Sequence, residues 1–215
     1  MYKVIKRAIS KELAEFCYEY LCNKKKVARL LYDTRYISQF NMDWGRWNDQ
    51  QVTNTFSCYS DLVMETLLQK LKYRVELETE LKLNETYSYT RLYKKGDVLP
   101  RHKDRYSCEV STTMNIGGDP WPIFIEPDTE KGRRNNKNIY EAGGTKGKKV
   151  ILEAGDMLVY KGHNCEHWRE PFEGQDCVQV FLHYNAERSG AEVNMYDTRP
   201  HLGLPRYFRG IKIDK

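Results

Sequence analysis

Over the first eighty positions the hydrophobic residues recur with a helical period, and beyond them with the period of a strand. Ser10 is a residue of N-cap type, and Leu13, Phe16, Cys17, Tyr20 and Leu21 follow at i, i+3, i+4, i+7 and i+8. This spacing predicts one amphipathic helix. Ser60 opens a second, with Met64, Leu67, Leu68, Leu71 and Val75 on one stripe. The stretch between them, rich in Trp, Asn and Gln and including Trp44 and Trp47, has no period that assigns it.

From about Tyr87 the chain changes to short runs of β-branched and aromatic residues broken by Gly, Pro and Asp. The predicted strands are Tyr87–Tyr93, Glu109–Ile116, Trp121–Glu126, Lys149–Leu152, Asp156–Tyr160 and Cys177–Tyr184. Turns such as Gly117-Gly118-Asp119-Pro120 and Ala154-Gly155-Asp156 separate them, which suggests an antiparallel sandwich or barrel. Helices first and strands after give an α+β chain with a mainly β core. Residues 1–80 read as a helical support region and residues 81–215 as the core. With 215 residues the two make one structural domain and not two large ones. The segment Asp128–Lys148 is nearly all polar and reads as an excursion at a pocket rim that can be shortened without unfolding the barrel, because it has almost no apolar residue to bury.

Composition narrows the function classes only modestly. Thirty-five Lys and Arg against thirty Asp and Glu leave a net charge of +5, spread along the chain, so nucleic acid is a less favoured partner that the charge does not exclude. No segment has the apolar length of a membrane span, and Lys3, Lys6 and Arg7 interrupt the N-terminus, so the expectation is a soluble, cytoplasmic protein with no membrane partner. The six cysteines form no CxxC pair, which leaves reduced thiols as the simplest account.

The candidate chemistry lies among five histidines. His102-Lys103-Asp104 follows one predicted strand, and His163 and His167 follow another. Two imidazoles and one carboxylate on one face of an octahedral ion leave three positions open, the pattern of non-haem Fe(II) oxygenases. Residues i and i+2 of an extended segment share a side, so His102 and Asp104 can reach one ion together. Taken alone, an HxD tripeptide is more often a surface ion pair. His183 reads as packing or hydrogen-bonding within its strand, and His201, in a Pro-flanked tail, as structural or exposed.

The run Tyr93-Lys94-Lys95-Gly96-Asp97 followed by His102-Lys103-Asp104, and the run Gly155-Asp156-Met157-Leu158-Val159-Tyr160 followed by His167, Pro171 and Gly174, resemble the signature of the prolyl 4-hydroxylase-like branch of the 2-oxoglutarate/Fe(II) dioxygenases. The resemblance covers about half the chain. It implies a double-stranded β-helix, or jelly roll, flanked by N-terminal helices. It also implies Fe(II) held by His102, Asp104 and His167, with 2-oxoglutarate as cosubstrate, O2, and ascorbate as an optional addition. His167 is preferred over His163 because the family places a proline four residues after its distal histidine, where Pro171 stands. Tyr93 would help hold the cosubstrate.

One departure stands out. The family commonly carries Arg or Lys nine or ten residues after the distal histidine to hold the far carboxylate of 2-oxoglutarate, and here those positions are Asp176 and Cys177. Arg169 is the first replacement, Arg91 the second, and Gln179 a neutral donor beside either. A surface pair of Arg169 with Glu170 or Glu173 is the competing reading. The implied function is hydroxylation of a protein or peptide side chain. Action on a small molecule or a nucleic-acid base, and a catalytically silent binding barrel, are the alternatives.

Overall fold

Two antiparallel sheets face one another in a computed structural model, which describes residues 2–136, 139–188 and 190–208. In chain order the elements are β1 (Tyr2–Ile5), α1 (Lys11–Asp33), β2 (Phe56–Tyr59), α2 (Leu62–Thr79), β3 (Leu83–Lys94), β4 (Leu99–His102), β5 (Val110–Gly118), β6 (Ile123–Ile125), β7 (Arg133–Arg134), β8 (Tyr140–Glu141), β9 (Lys148–Val150), β10 (Met157–Tyr160), β11 (His167–Arg169) and β12 (Asp176–Ala186). The major sheet runs β1-β10-β5-β12-β3-β2, the minor sheet β4-β11-β6-β9, and β7 and β8 make a separate hairpin. This is the mainly β, jelly-roll architecture with N-terminal helices that the sequence implied.

Alternation on the central strands separates two compartments. On β12, Val178, Val180, Leu182 and Tyr184 join the helix-side core with Leu21, Met64 and Leu68, while Cys177 and Phe181 join a second cluster inside the barrel with Tyr93 and Trp121. Both faces of β12 are therefore covered, which accounts for its almost uninterrupted burial. The same alternation turns Tyr87, Tyr89, Arg91 and Tyr93 of β3 to one face, across from His183, Phe181, Gln179 and Cys177 of β12.

The helices follow the sequence reading with corrections. The Ser10 hydroxyl accepts from Leu13 N at 3.1 Å, as an N-cap should. The helix buries Ala14, Cys17, Leu21 and Ala28, with Leu13 and Tyr20 packed beside them, so of the predicted stripe only Phe16, 58% exposed, points away from the core. The second helix is capped by Asp61, whose carboxylate accepts from Val63 N and Met64 N; Ser60 instead donates to Leu204 O. β1, β2, β4 and β11 were not predicted, being only three or four residues long. β1 and β2 are the edges of the major sheet, so residues 1–80 supply strands as well as helices. A buried pair, Arg199 with Glu65 at 2.8 Å, ties the C-terminal segment to α2. All six cysteines are free thiols, and no described helix is long and apolar enough to cross a membrane.

The polar segment Asp128–Lys148, which has little apolar surface to bury, is anchored by polar contacts. Glu166 is fully buried, and its carboxylate accepts from Tyr140 Oη and Gly143 N, each at 3.0 Å, and from Arg101 Nη1 at 3.2 Å. Arg101 also donates to Thr145 O, and the Thr145 hydroxyl to Glu126. The link to the fold is therefore polar, which hydrophobic patterning does not reveal. Lys137 and Asn138 lie outside the described residues.

Candidate metal centre

β4 and β11 pair so that His102 stands directly opposite His167, with the two rings 4.1 Å apart between centroids. Asp104, two residues past the end of β4, is fixed by Asp104 N donating to Gly162 O at 2.9 Å. Its Oδ1 lies 3.5 Å from His102 Nε2 and 3.6 Å from His167 Nε2. The three ligand-type atoms all lie within 4.8 Å of one another, a group that could hold a metal ion. His163 stays outside this group, with Nδ1 on Asp104 O at 3.2 Å and its ring edge-on to Tyr106.

Tautomers follow from the hydrogen bonds. His102 Nδ1 lies 2.8 Å from Pro100 O and His167 Nδ1 lies 3.0 Å from Cys165 O. A carbonyl can only accept, so each Nδ1 carries the proton and each Nε2 presents a lone pair to the common point, as a ligand must. Burial pushes the His102 pKa down, helped by the neighbouring His167, and so favours the neutral imidazole. Burial alone would raise the Asp104 pKa, but the adjoining His167 and His102 rings outweigh it and hold this group well below the usual carboxylate range.

The supporting residues are ones the sequence reading did not find. Ser111 Oγ donates to Asp104 Oδ2 at 2.8 Å and lies 3.0 Å from His183 Nδ1. A Cβ added at Gly162 would collide with Ser111 Oγ and Asp104 Oδ2, so only glycine allows the close approach. Burial lowers the His183 pKa to about 4 and leaves this ring neutral, tilted against Tyr87 with the ring centroids 4.6 Å apart.

A cavity of about 210 Å3 opens onto the three ligand atoms. Its walls include Asp49, Tyr89, Arg91, Ile123 and Phe181. It adjoins a larger mouth of about 560 Å3, and Arg46, Tyr87 and Tyr89 line both. The Trp-rich stretch left unassigned in the sequence thus supplies Arg46, Asp49 and Gln51. Arg91 Nη2 donates to Asp49 Oδ2 at 2.9 Å and to Gln51 Oε1 at 2.7 Å. Burial would raise the Asp49 pKa, but Arg91 and the Tyr89 hydroxyl bring it down to about 2.

Below the cavity floor the balance reverses. Arg169 is 1% exposed, and its guanidinium donates to Trp121 O, to Thr113 Oγ1 at 3.3 Å and to Gln179 Oε1 at 3.1 Å. These partners are all neutral, and no ion pair joins Arg169 to Glu170 or Glu173 among the described residues, so the surface-pair reading is corrected. Arg169 Nε and the Tyr93 hydroxyl are buried without any hydrogen-bond partner. Burial accordingly lowers the Arg169 pKa from the ordinary guanidinium value. The pairing with β4 shifts past His167: His167 faces His102 but Arg169 faces Leu99, a bulge at Pro100–Arg101 of β4, while on β11 the two residues, i and i+2, keep a common face. Thr113, which Arg169 touches, sits opposite the cavity-lining Phe181, so the guanidinium adjoins the floor without lining it.

No family model and no curated protein matches the sequence. Solved structures do match. A Pseudomonas putida prolyl-4-hydroxylase is similar with a TM-score of 0.57 at 12% identity, over 87% of this chain and 93% of that one. The viral collagen prolyl hydroxylase of Paramecium Bursaria Chlorella virus-1, in its 2OG complex, gives 0.53 at 11% identity, over 86% and 96%. HygX from Streptomyces hygroscopicus, with nickel and 2-oxoglutarate bound, gives 0.54 at 13% identity, over 86% and 82%. The chain has the fold of the 2-oxoglutarate/Fe(II) oxygenases. Within this oxygenase fold, β12 begins with Asp176 and Cys177. Asp176 accepts from Tyr18 Oη at 2.6 Å and Cys177 lies beside Gln179, so neither puts a cation into the barrel.

Proposed function

We propose that the protein is an Fe(II)- and 2-oxoglutarate-dependent dioxygenase in which His102, Asp104 and His167 hold the metal. The observation that carries this reading is the convergence of two Nε2 lone pairs and one carboxylate oxygen on a common point, every other polar atom of the three side chains being engaged by the protein. The buried groups below the floor fit the cosubstrate. A cation without counter-charge and an orphaned phenol are costly unless an anion joins them, and the far carboxylate of 2-oxoglutarate is such an anion.

Bound there, Fe(II) and 2-oxoglutarate supply the oxidising chemistry, in which O2 and the cosubstrate give succinate and CO2 while one oxygen atom enters a substrate C–H bond. The protein's residues do the positioning. Ser111 and Gly162 orient Asp104, the Pro100 and Cys165 carbonyls fix the two imidazoles, and Arg169 and Tyr93 receive the far carboxylate, with Gln179 Oε1 holding the Arg169 guanidinium. Arg91 lines the cavity, but Asp49 and Gln51 already engage it, so it is the second choice. Tyr160, Phe181 and Ile123 restrict water around the metal.

The substrate proposed is a protein or peptide side chain, by analogy with the two prolyl hydroxylases of similar fold. A small-molecule substrate is the second reading, favoured by a mouth of about 560 Å3, within the range of drug-sized ligand sites. Succinate formation from 2-oxoglutarate with Fe(II) and O2, and its loss in His167→Ala, is the test of the activity. A protein that neither binds Fe(II) nor consumes 2-oxoglutarate would be a silent barrel instead. Screening peptides against small molecules for stimulated turnover separates the two substrate readings.

A further inference from the structure

Asp104 presents its second face to another set of donors. Asp104, Cys108 and His183 each offer a ligand-type atom, and these atoms lie within 4.8 Å of one another. Cys108 is 1% exposed and His183 6% exposed. Ser111 Oγ connects the set, bonding Asp104 Oδ2 and lying 3.0 Å from His183 Nδ1, while Tyr87 Oη lies 3.1 Å from Cys108 Sγ. The oxygen near both triad histidines is Oδ1, while Oδ2 lies on Ser111 Oγ, which itself lies by His183 Nδ1.

We propose that Asp104, Cys108 and His183 form a second site, for a soft divalent ion of the Zn2+ type. The donor chemistry carries the choice of ion: the triad offers only imidazole and carboxylate, which suits Fe(II), whereas a thiolate beside an imidazole selects zinc-like ions. Binding removes the thiol proton of Cys108 to solvent, turns the Ser111 hydroxyl aside, and completes the shell with water. Because the ion draws on the carboxylate that the triad needs, the two sites are negatively coupled, and the coupling is reciprocal. This coupling rests on the triad reading; the second site itself does not. The consequence is an enzyme whose iron loading falls when soft metal rises.

The experiment is a Co2+ titration of the full chain. The expected spectrum has two parts, weak visible bands from both sites and a strong near-ultraviolet thiolate-to-cobalt band from Cys108 alone. Cys108→Ser should lose the near-ultraviolet band and keep visible bands, which also report that the barrel is folded; Cys108→Ala serves if the serine variant does not fold. The double variant His102→Ala with His167→Ala should keep the thiolate band, so the second site is tested even where the triad reading fails. Zn2+ competes with Fe(II) directly at the triad in both proteins, so the coupling is read as the difference: added Zn2+ should weaken Fe(II) binding about tenfold more in the unaltered protein than in Cys108→Ser, the scale of perturbing a ligand's support. Absence of a thiolate band, its persistence in Cys108→Ser and Cys108→Ala, or equal Zn2+ sensitivity in the serine variant overturns the proposal.

Discussion

At the candidate metal end of the barrel, every polar atom of His102, Asp104 and His167 except the three that face one another is engaged by a carbonyl or a hydroxyl. At the floor, by contrast, Arg169 has only neutral partners, and both its Nε and the Tyr93 hydroxyl have none. The first arrangement is complete apart from an ion, and it holds its shape by itself. The second stores an unfavourable buried charge that an incoming anion would relieve. A cleft can thus be rigid at one end and destabilised at the other, and an anion that reached the floor would offset what the lone cation costs.

The largest effect that could break this contrast comes from the triad. His102→Ala, Asp104→Ala or His167→Ala should abolish 2-oxoglutarate turnover and strongly weaken Fe(II) binding, while His163→Ala keeps most of both; equilibrium Fe(II) binding and succinate release check this. A reversal between His163 and His167 would move the metal elsewhere.

Next comes Arg169→Met. Losing one partner of a buried charged contact costs about 3–5 kcal/mol, so the 2-oxoglutarate requirement should rise by about two to four orders of magnitude, with Fe(II) affinity nearly unchanged. Because the ligand-free protein carries this cation unpaired, its thermal stability should stay level or rise. An unchanged cosubstrate requirement would transfer the anchor to Arg91.

Protonation tests the metal end from another side. The His183 pKa falls from the ordinary 6.5 to about 4 on burial. The unfolded chain therefore binds a proton below pH 6.5 that the folded chain refuses until about pH 4, and stability is lost as pH falls through that window, by roughly 3 kcal/mol in all. Asp104, held below the ordinary carboxylate range, adds further loss at lower pH as the fold gives up its charged form. Urea unfolding at stepped pH should show this slope, and His183→Gln should flatten it between pH 6.5 and 4.

Smaller effects sharpen the comparison. Gly162→Ala should displace Asp104 and Ser111 and weaken Fe(II) binding by about 10- to 100-fold, the range for disturbed ligand support, without altering the 2-oxoglutarate requirement of the fully loaded enzyme. Tyr140→Phe removes one hydrogen bond to buried Glu166, worth about 1.5–3 kcal/mol for a charged acceptor, and the thermal midpoint should drop slightly with turnover retained.

Much of the fold was legible because it is written in local periods. The helix stripe from Met64 to Val75 and the alternation of Cys177–Tyr184 each declare a buried face within ten or so residues. The triad was legible for a related reason: His102 and Asp104 are two residues apart, and His167 carries the spacing to Pro171. Short strands escaped, since three or four residues such as His167–Arg169 hold too few positions to show a period.

By itself, then, the sequence determined the α+β order, the mainly β core, the capping of the first helix and the residue types that could hold a metal. The tertiary structure alone decided which distant groups serve them. Ser111 reaches Asp104, Asp49 from the unassigned stretch neutralises Arg91, and Glu166 fastens a polar hairpin. It also decided that Arg169 stands without a counter-charge. The reason is physical: hydrophobic patterning reports which face of an element is buried, whereas the pairing of a buried polar group depends on strand register and bulges, and one residue of slippage exchanges the neighbours it meets.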